Sequence, residues 1–182
     1  MGLIKKVIKQ AIKIILIVAI VSSVLFVGLL FYHYYLSPDA TRHKIRDIYN
    51  KVSAASGIGD KPTLIIMDDS RINAATNGMW IQVNQGLIDA FSYDQIAMVL
   101  GHELAHVHLG HTKENIYSDK ISGQYAEAMA DKVGAFYMMR AGFDVCDGRE
   151  AWKKIRLSEG NRIDTTHPNY SYRYDELNVG CE

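Results

Sequence analysis

The sequence predicts an α+β fold, mainly helical with a small sheet, preceded by a single apolar N-terminal helix. Three observations carry this. Residues 14–32 read IILIVAIVSSVLFVGLLFY without a charge. Two short runs rich in β-branched residues, TLIIM and MWIQV, have the pattern of buried strands. Two longer segments, beginning near Ser92 and Gly123, repeat apolar residues at spacings of three and four.

The apolar run spans about 28 Å as a helix, enough for a bilayer. Lys5, Lys6, Lys9 and Lys13 precede it, and Tyr32, Tyr34 and Tyr35 follow where aromatic rings favour the headgroup layer. A secretory signal shares the basic start, but no small-x-small cleavage site follows, only FYHYYLSP, so a retained anchor is expected. The expected layout is a basic tail over 1–13, a transmembrane anchor over 14–36 and one soluble domain over 37–182. The four lysines place the N-terminus in the cytoplasm and the domain outside it, as for a bacterial inner-membrane protein facing the periplasm, although Arg42, Lys44, Arg46 and Lys51 dilute that bias. Twenty basic and twenty acidic residues cancel, which argues against nucleic acid as a partner. Cys146 and Cys181 are too few for a disulfide scaffold and lack the close pairing of a structural zinc site; they either pair in an oxidising compartment or stay as buried thiols.

Within the soluble part, Ile45, Ile48, Tyr49 and Val52 mark a helix over 40–55. Strands are expected at Thr63–Met67 and Met79–Val83, with the polar stretch 68–78 between them as a loop. Ser92 and Gln95 form a capping-box signature for a helix that Gly110 stops, and Gly142 ends the next. A short helix is expected over 149–157, and the polar tail 158–182 has no expected regular structure.

The first long helix carries His102-Glu103-Leu104-Ala105-His106. Residues four apart on a helix differ by about 40°, so both imidazoles reach one ion and Glu103 projects beside them. Two histidines, a carboxylate and an open position make a catalytic zinc arrangement, in which a nearby carboxylate takes a proton from water. Continued as an ideal helix, the chain carries His108 about 200° and His111 about 140° round from His106, so both are assigned to packing or surface hydrogen bonding. A third ligand then comes from another segment. Glu127 and Asp131 share a helix face, which suits Glu127 as ligand and Asp131 as hydrogen-bond partner to a ligand histidine; Glu114 and Asp119 are weaker candidates.

HELAH, EAMAD and THP together, with the stretch from Asn73-Ala74 onward, resemble the zinc metallopeptidase family that contains HtpX, BepA and the CaaX prenyl endopeptidases. The resemblance covers roughly Pro62 to Arg173. It implies a zincin-like (gluzincin) fold, one Zn2+ per chain on His102, His106 and Glu127, Glu103 as base and Asp131 as support. It also implies that His167, before Pro168, donates to the oxyanion, while Arg173 is an ion-pair partner. Having one spanning segment rather than several sets the chain apart from HtpX and the prenyl endopeptidases. The implied activity is metalloendopeptidase action on protein or peptide substrates in membrane or envelope quality control, with the substrate adding as a strand beside Met79, Trp80, Ile81, Gln82 and Val83. The other reading is a zinc-containing membrane chaperone or assembly factor with little turnover. Oligomeric state is not legible.

Overall fold

The computed structural model describes residues 2–33, 38–112, 120–159, 170–178 and 181. The chain divides into two compact units, Met1–Lys44 and Ile45–Glu182, with the boundary inside a helix.

The first unit is dominated by α1 (Gly2–Phe31), whose side chains are all exposed. Its length and apolar composition suit a membrane span, a test that a signal sequence also passes. The helix begins well before the expected boundary at 14, because Lys, Gln and Ile are acceptable helix formers and no breaker stands among the first turns. Inside the apolar run, Ser22 and Ser23 donate back to the carbonyls of Val18 (2.6 Å) and Ala19 (2.8 Å), so neither hydroxyl needs water.

The second unit begins within α2 (Pro38–Ser56), which buries Ile45, Ile48, Tyr49 and Val52 as their spacing predicts. A mixed three-stranded sheet follows in the order β1-β3-β2, from β1 (Thr63–Met67), β2 (Ala74–Thr76) and β3 (Trp80–Asn84). β1 runs parallel to β3 in the register Leu64 to Ile81, and β2 runs antiparallel to it, Ala75 opposite Gln82. The sequence reading took 68–78 as loop; β2 is a three-residue strand inside it. Its hairpin turns at Gly78, where φ of +94° excludes most side chains, so Asn77-Gly78 was the usable signal.

β3 is the central strand, paired with β1 along its length and with β2 at Ile81, Gln82 and Val83. A substrate cannot add beside Met79, Trp80, Ile81, Gln82 and Val83 without displacing a neighbour. The outer side of β2 is open among the described residues.

Helix α3 (Gln85–Ala90) leads directly into α4 (Tyr93–His108). The Ser92 hydroxyl accepts from Gln95 N and the Gln95 side chain from Ser92 N, completing the expected capping box. Every residue from Gln95 to His106 is buried, so α4 is the axis of the domain, with Ile96, Met98, Leu100 and Leu104 at 0% exposure. Full burial of such a side chain contributes about 1.5–3 kcal/mol. Apolar burial along α4 therefore anchors the polar groups the same helix carries.

α5 (Lys120–Arg140) packs along α4 and ends at Gly142, φ +86°. Short α6 (Val145–Gly148) and α7 (Glu150–Glu159) cover another side of α4, and α8 (Tyr170–Glu176) packs on α7. α8 lies in the tail read as irregular; with seven residues it is too short for a periodic signal. Cys146 and Cys181 form a disulfide, Cα to Cα 5.5 Å, which decides between the two alternatives for the thiols.

Candidate metal centre

The α4 register puts His102 and His106 one turn apart on the face toward α5, where Glu127 stands. Helix spacing is set by glycines. A Cβ on Gly134 would meet the backbone of His102 at 2.5 Å, and one on Gly101 would meet the carbonyl of Gly134 at 2.6 Å. Backbones in contact at this level leave the distance between the two helices little freedom.

His102, His106 and Glu127 are 5%, 5% and 2% exposed, and their donor atoms converge. Nε2 of His102 lies 3.3 Å from Glu127 Oε2, Nε2 of His106 lies 3.3 Å from Glu127 Oε1, and the two Nε2 atoms are 2.9 Å apart. Donors about 2.0–2.1 Å from a tetrahedral zinc stand about 3.3 Å from one another. The two histidine–glutamate separations match such an ion, and the Nε2 pair at 2.9 Å would open by about 0.4 Å to hold it. With the histidines neutral, the buried groups Glu103, Glu127, Asp131 and Arg173 carry a net formal charge of minus two, which a divalent cation neutralises.

Each histidine is held by its other nitrogen. Nδ1 of His102 donates to Asp131 Oδ1 at 2.9 Å. Asp131 also accepts two bonds from Arg173 of α8, Nε to Oδ2 and Nη2 to Oδ1, both 2.7 Å. Arg173 Nη2 comes within 3.2 Å of His102 Nδ1, but both atoms are donors, so the Asp131 carboxylate is what holds them together. The Arg173 guanidinium stacks 3.8 Å over the Trp152 ring, whose edge lies against His102 with centroids 5.3 Å apart. His106 turns its Nδ1 to His111 Nδ1 at 3.1 Å.

These contacts set the protonation pattern. Burial works to lower His102, yet the hydrogen bonds to Asp131 and Glu127 outweigh it and raise its pKa to about 9. His106 is lowered, by burial first and then by the charge of His102. Burial alone would raise Glu127, but both imidazoles hold it well below the usual carboxylate range. Asp131 is likewise lowered against its burial by Arg173 and His102.

Of the residues singled out from sequence, His102, His106, Glu127 and Asp131 come together here, with Glu103 buried beside His102 in the helix. His108 lies away, exposed and stacked on Tyr137, as expected. His111 does not; it reaches the centre that the ideal-helix extrapolation denied it. The chain leaves the helix after His108, and Gly110 at φ +73° folds it back so that His111 N bonds His106 O at 2.8 Å. Glu114, Asp119 and His167 lie outside the described residues. Arg173, expected as an ion-pair partner, pairs with Asp131, whereas Trp152 was not assigned to the site from sequence, since its segment gave no motif.

Two histidines one helical turn apart and a glutamate from a second helix form a possible metal site, with a further carboxylate next to it in the helix. The model of peptidase family M48 matches residues 39–126, which supports membership of the M48 zinc metallopeptidase family. That match contains His102, Glu103 and His106, whereas Glu127, Asp131 and Arg173 follow it and join the site by geometry. No curated protein and no solved structure matches the chain.

Proposed function

We propose that the chain is a membrane-anchored zinc metalloendopeptidase that hydrolyses peptide bonds of protein substrates in membrane or envelope quality control. The observation that carries this is the converging triad of His102 Nε2, His106 Nε2 and Glu127 with Glu103 next in the helix. A bound zinc supplies Lewis-acid polarisation of the scissile carbonyl and a lowered water pKa. The Glu103 carboxylate takes the proton of the attacking water and returns it to the leaving amine nitrogen. Asp131 and Arg173 keep His102 in the tautomer whose Nε2 is a ligand. His167 is the oxyanion donor in this reading.

The substrate adds to the open side of β2. Asn84 N bonds Asn73 O, and Ala75 faces Gln82, so the alternation of an antiparallel pair turns the N–H and C=O of Ala74 and Thr76 outward. β2 also packs on α4, the helix that carries the centre.

The disulfide supports an extracytoplasmic domain, because such bonds persist in oxidising compartments. With α1 as a retained anchor, the N-terminus is then cytoplasmic. Glu103→Gln tests the activity: full-length protein in detergent should keep about one zinc per chain while casein cleavage falls about 10²–10⁴-fold. Wild-type turnover in that variant defeats the mechanism. Capture of unfolded chains without cleavage by zinc-loaded wild type installs the chaperone reading instead.

A further inference from the structure

Among the described residues, His111 is the one histidine beyond the ligand pair whose ring nitrogen meets a ligand ring, Nδ1 to His106 Nδ1 at 3.1 Å with centroids 5.2 Å apart. Two features show this contact to be built. The same residue's backbone N–H bonds the His106 carbonyl at 2.8 Å, so main chain and side chain of His111 both dock on His106. That docking depends on Gly110 in the left-handed region, φ +73°, which closes the end of α4.

The chemistry of two facing Nδ1 atoms restricts what each carries. A hydrogen bond between them needs one proton, hence one N–H and one lone pair. His106 Nε2 points to Glu127 and to His102 Nε2, the position of a ligand lone pair, so its proton belongs on Nδ1. His111 Nδ1 is therefore the acceptor, and its own proton sits on Nε2. His102 has the same arrangement with Asp131 as acceptor. The two differ in what receives their Nδ1 proton, a carboxylate for one and a neutral imidazole for the other.

We propose that His111 is a positioning residue of the metal centre, accepting the Nδ1 proton of His106 and thereby fixing the tautomer and ring orientation in which His106 Nε2 binds the ion. The proposal rests on the zinc-centre reading above. It does not make His111 a ligand: the contact is on the Nδ1 side of His106, away from the converging donors. Outer partners of this kind alter metal affinity by about 10–100-fold when removed.

The test measures zinc dissociation constants by chelator competition on full-length protein in detergent, for wild type, His106→Ala, His111→Phe, His111→Ala and His111→Asn. Phenylalanine keeps a ring and removes the acceptor; asparagine keeps an acceptor, its amide oxygen, without the ring. Expected are affinities about 10–100-fold weaker for the Phe and Ala variants and within about threefold of wild type for Asn. Nitrogen-15 spectra of histidine-labelled protein should show His106 as the Nδ1–H tautomer in wild type and His111→Asn, and a tautomer mixture in His111→Phe. Melting in the presence of chelator identifies a variant that has merely failed to fold, and the Ala and Asn variants then decide. Equal affinity in wild type and His106→Ala would overturn the zinc-centre reading itself. Weak binding by His106→Ala with unchanged binding by both His111→Phe and His111→Ala would overturn only the present proposal, as would an Asn variant no better than Phe.

Discussion

Replacing Gly134 with alanine should damage the proposed metal centre without touching any of its proposed ligands. The new Cβ would lie 2.5 Å from His102 N, 2.7 Å from the Gly101 carbonyl carbon and 2.8 Å from His102 Cα, all of them backbone atoms that no rotamer can move aside. Comfortable contact begins near 3.5 Å, so α4 and α5 must part locally by about 1 Å. Overpacking of this kind costs about 1–3 kcal/mol. Alanine recovers about 0.8–1.0 kcal/mol as the better helix former, which leaves a net loss of about 0–2 kcal/mol. The centre is less forgiving. Glu127 rides on α5 and both histidines on α4, so the 3.3 Å separations between them widen with the helices. Ligand distances tolerate only about 0.2 Å. Gly134→Ala should therefore lose at least about tenfold in zinc affinity while its metal-free melting temperature falls by at most about 8 °C. Chelator competition and thermal melts in chelator give the two numbers. Wild-type affinity combined with a large drop in melting temperature would show that helix spacing does not set the donor triangle.

Zinc must displace the proton that His102 holds up to about pH 9, so affinity should rise about tenfold per pH unit from neutral pH and level off above 9; a flat profile would contradict the proton on His102. The same raised pKa contributes stability to metal-free protein that is complete below the unfolded value near 6.5 and lost as pH rises through about 9, so melts in chelator should decline over that window. Lowered Glu127 and Asp131 act oppositely, and their contribution should vanish on acidification below the ordinary carboxylate range. Replacing Cys146 and Cys181 by serine should cost about 2–5 kcal/mol, read from denaturant midpoints, with reductant reproducing the loss in wild type. Ala74→Pro removes an outward N–H on the open side of β2; losing one such bond to substrate should raise KM about 2–12-fold with zinc content and kcat unchanged, and an unaltered KM would remove β2 from the substrate reading.

The parts legible in the sequence were those in which one helix does the whole work. α2 and α4 declared themselves through spacing and a capping box, and the pairings His102 with His106 and Glu127 with Asp131 follow from a single helical turn. What escaped depends on where the chain stops or meets a distant segment. β2 has three residues and exists through its pairing with β3. Ranking β3 as the substrate edge failed because strand order is not written in the strand itself. His111 was placed by extending a helix past Gly110, although Gly110 had been recognised as its stop. Arg173 was expected to pair with an acid, but which one was not legible: Asp131 lies forty-two residues away, a distance over which no local pattern operates.

The packing of Trp152 against both His102 and Arg173 turns the proposed centre into its own optical probe. The chain has two tryptophans, and the other, Trp80, lies in the sheet. An indole 3.8 Å from a guanidinium and edge-on to a titrating imidazole emits according to the charge beside it. Loading an ion, or removing the proton from His102, changes that charge and should change the colour and yield of the emission. A Trp80→Phe protein would thus report occupancy of the site in real time, with no added dye and no substrate.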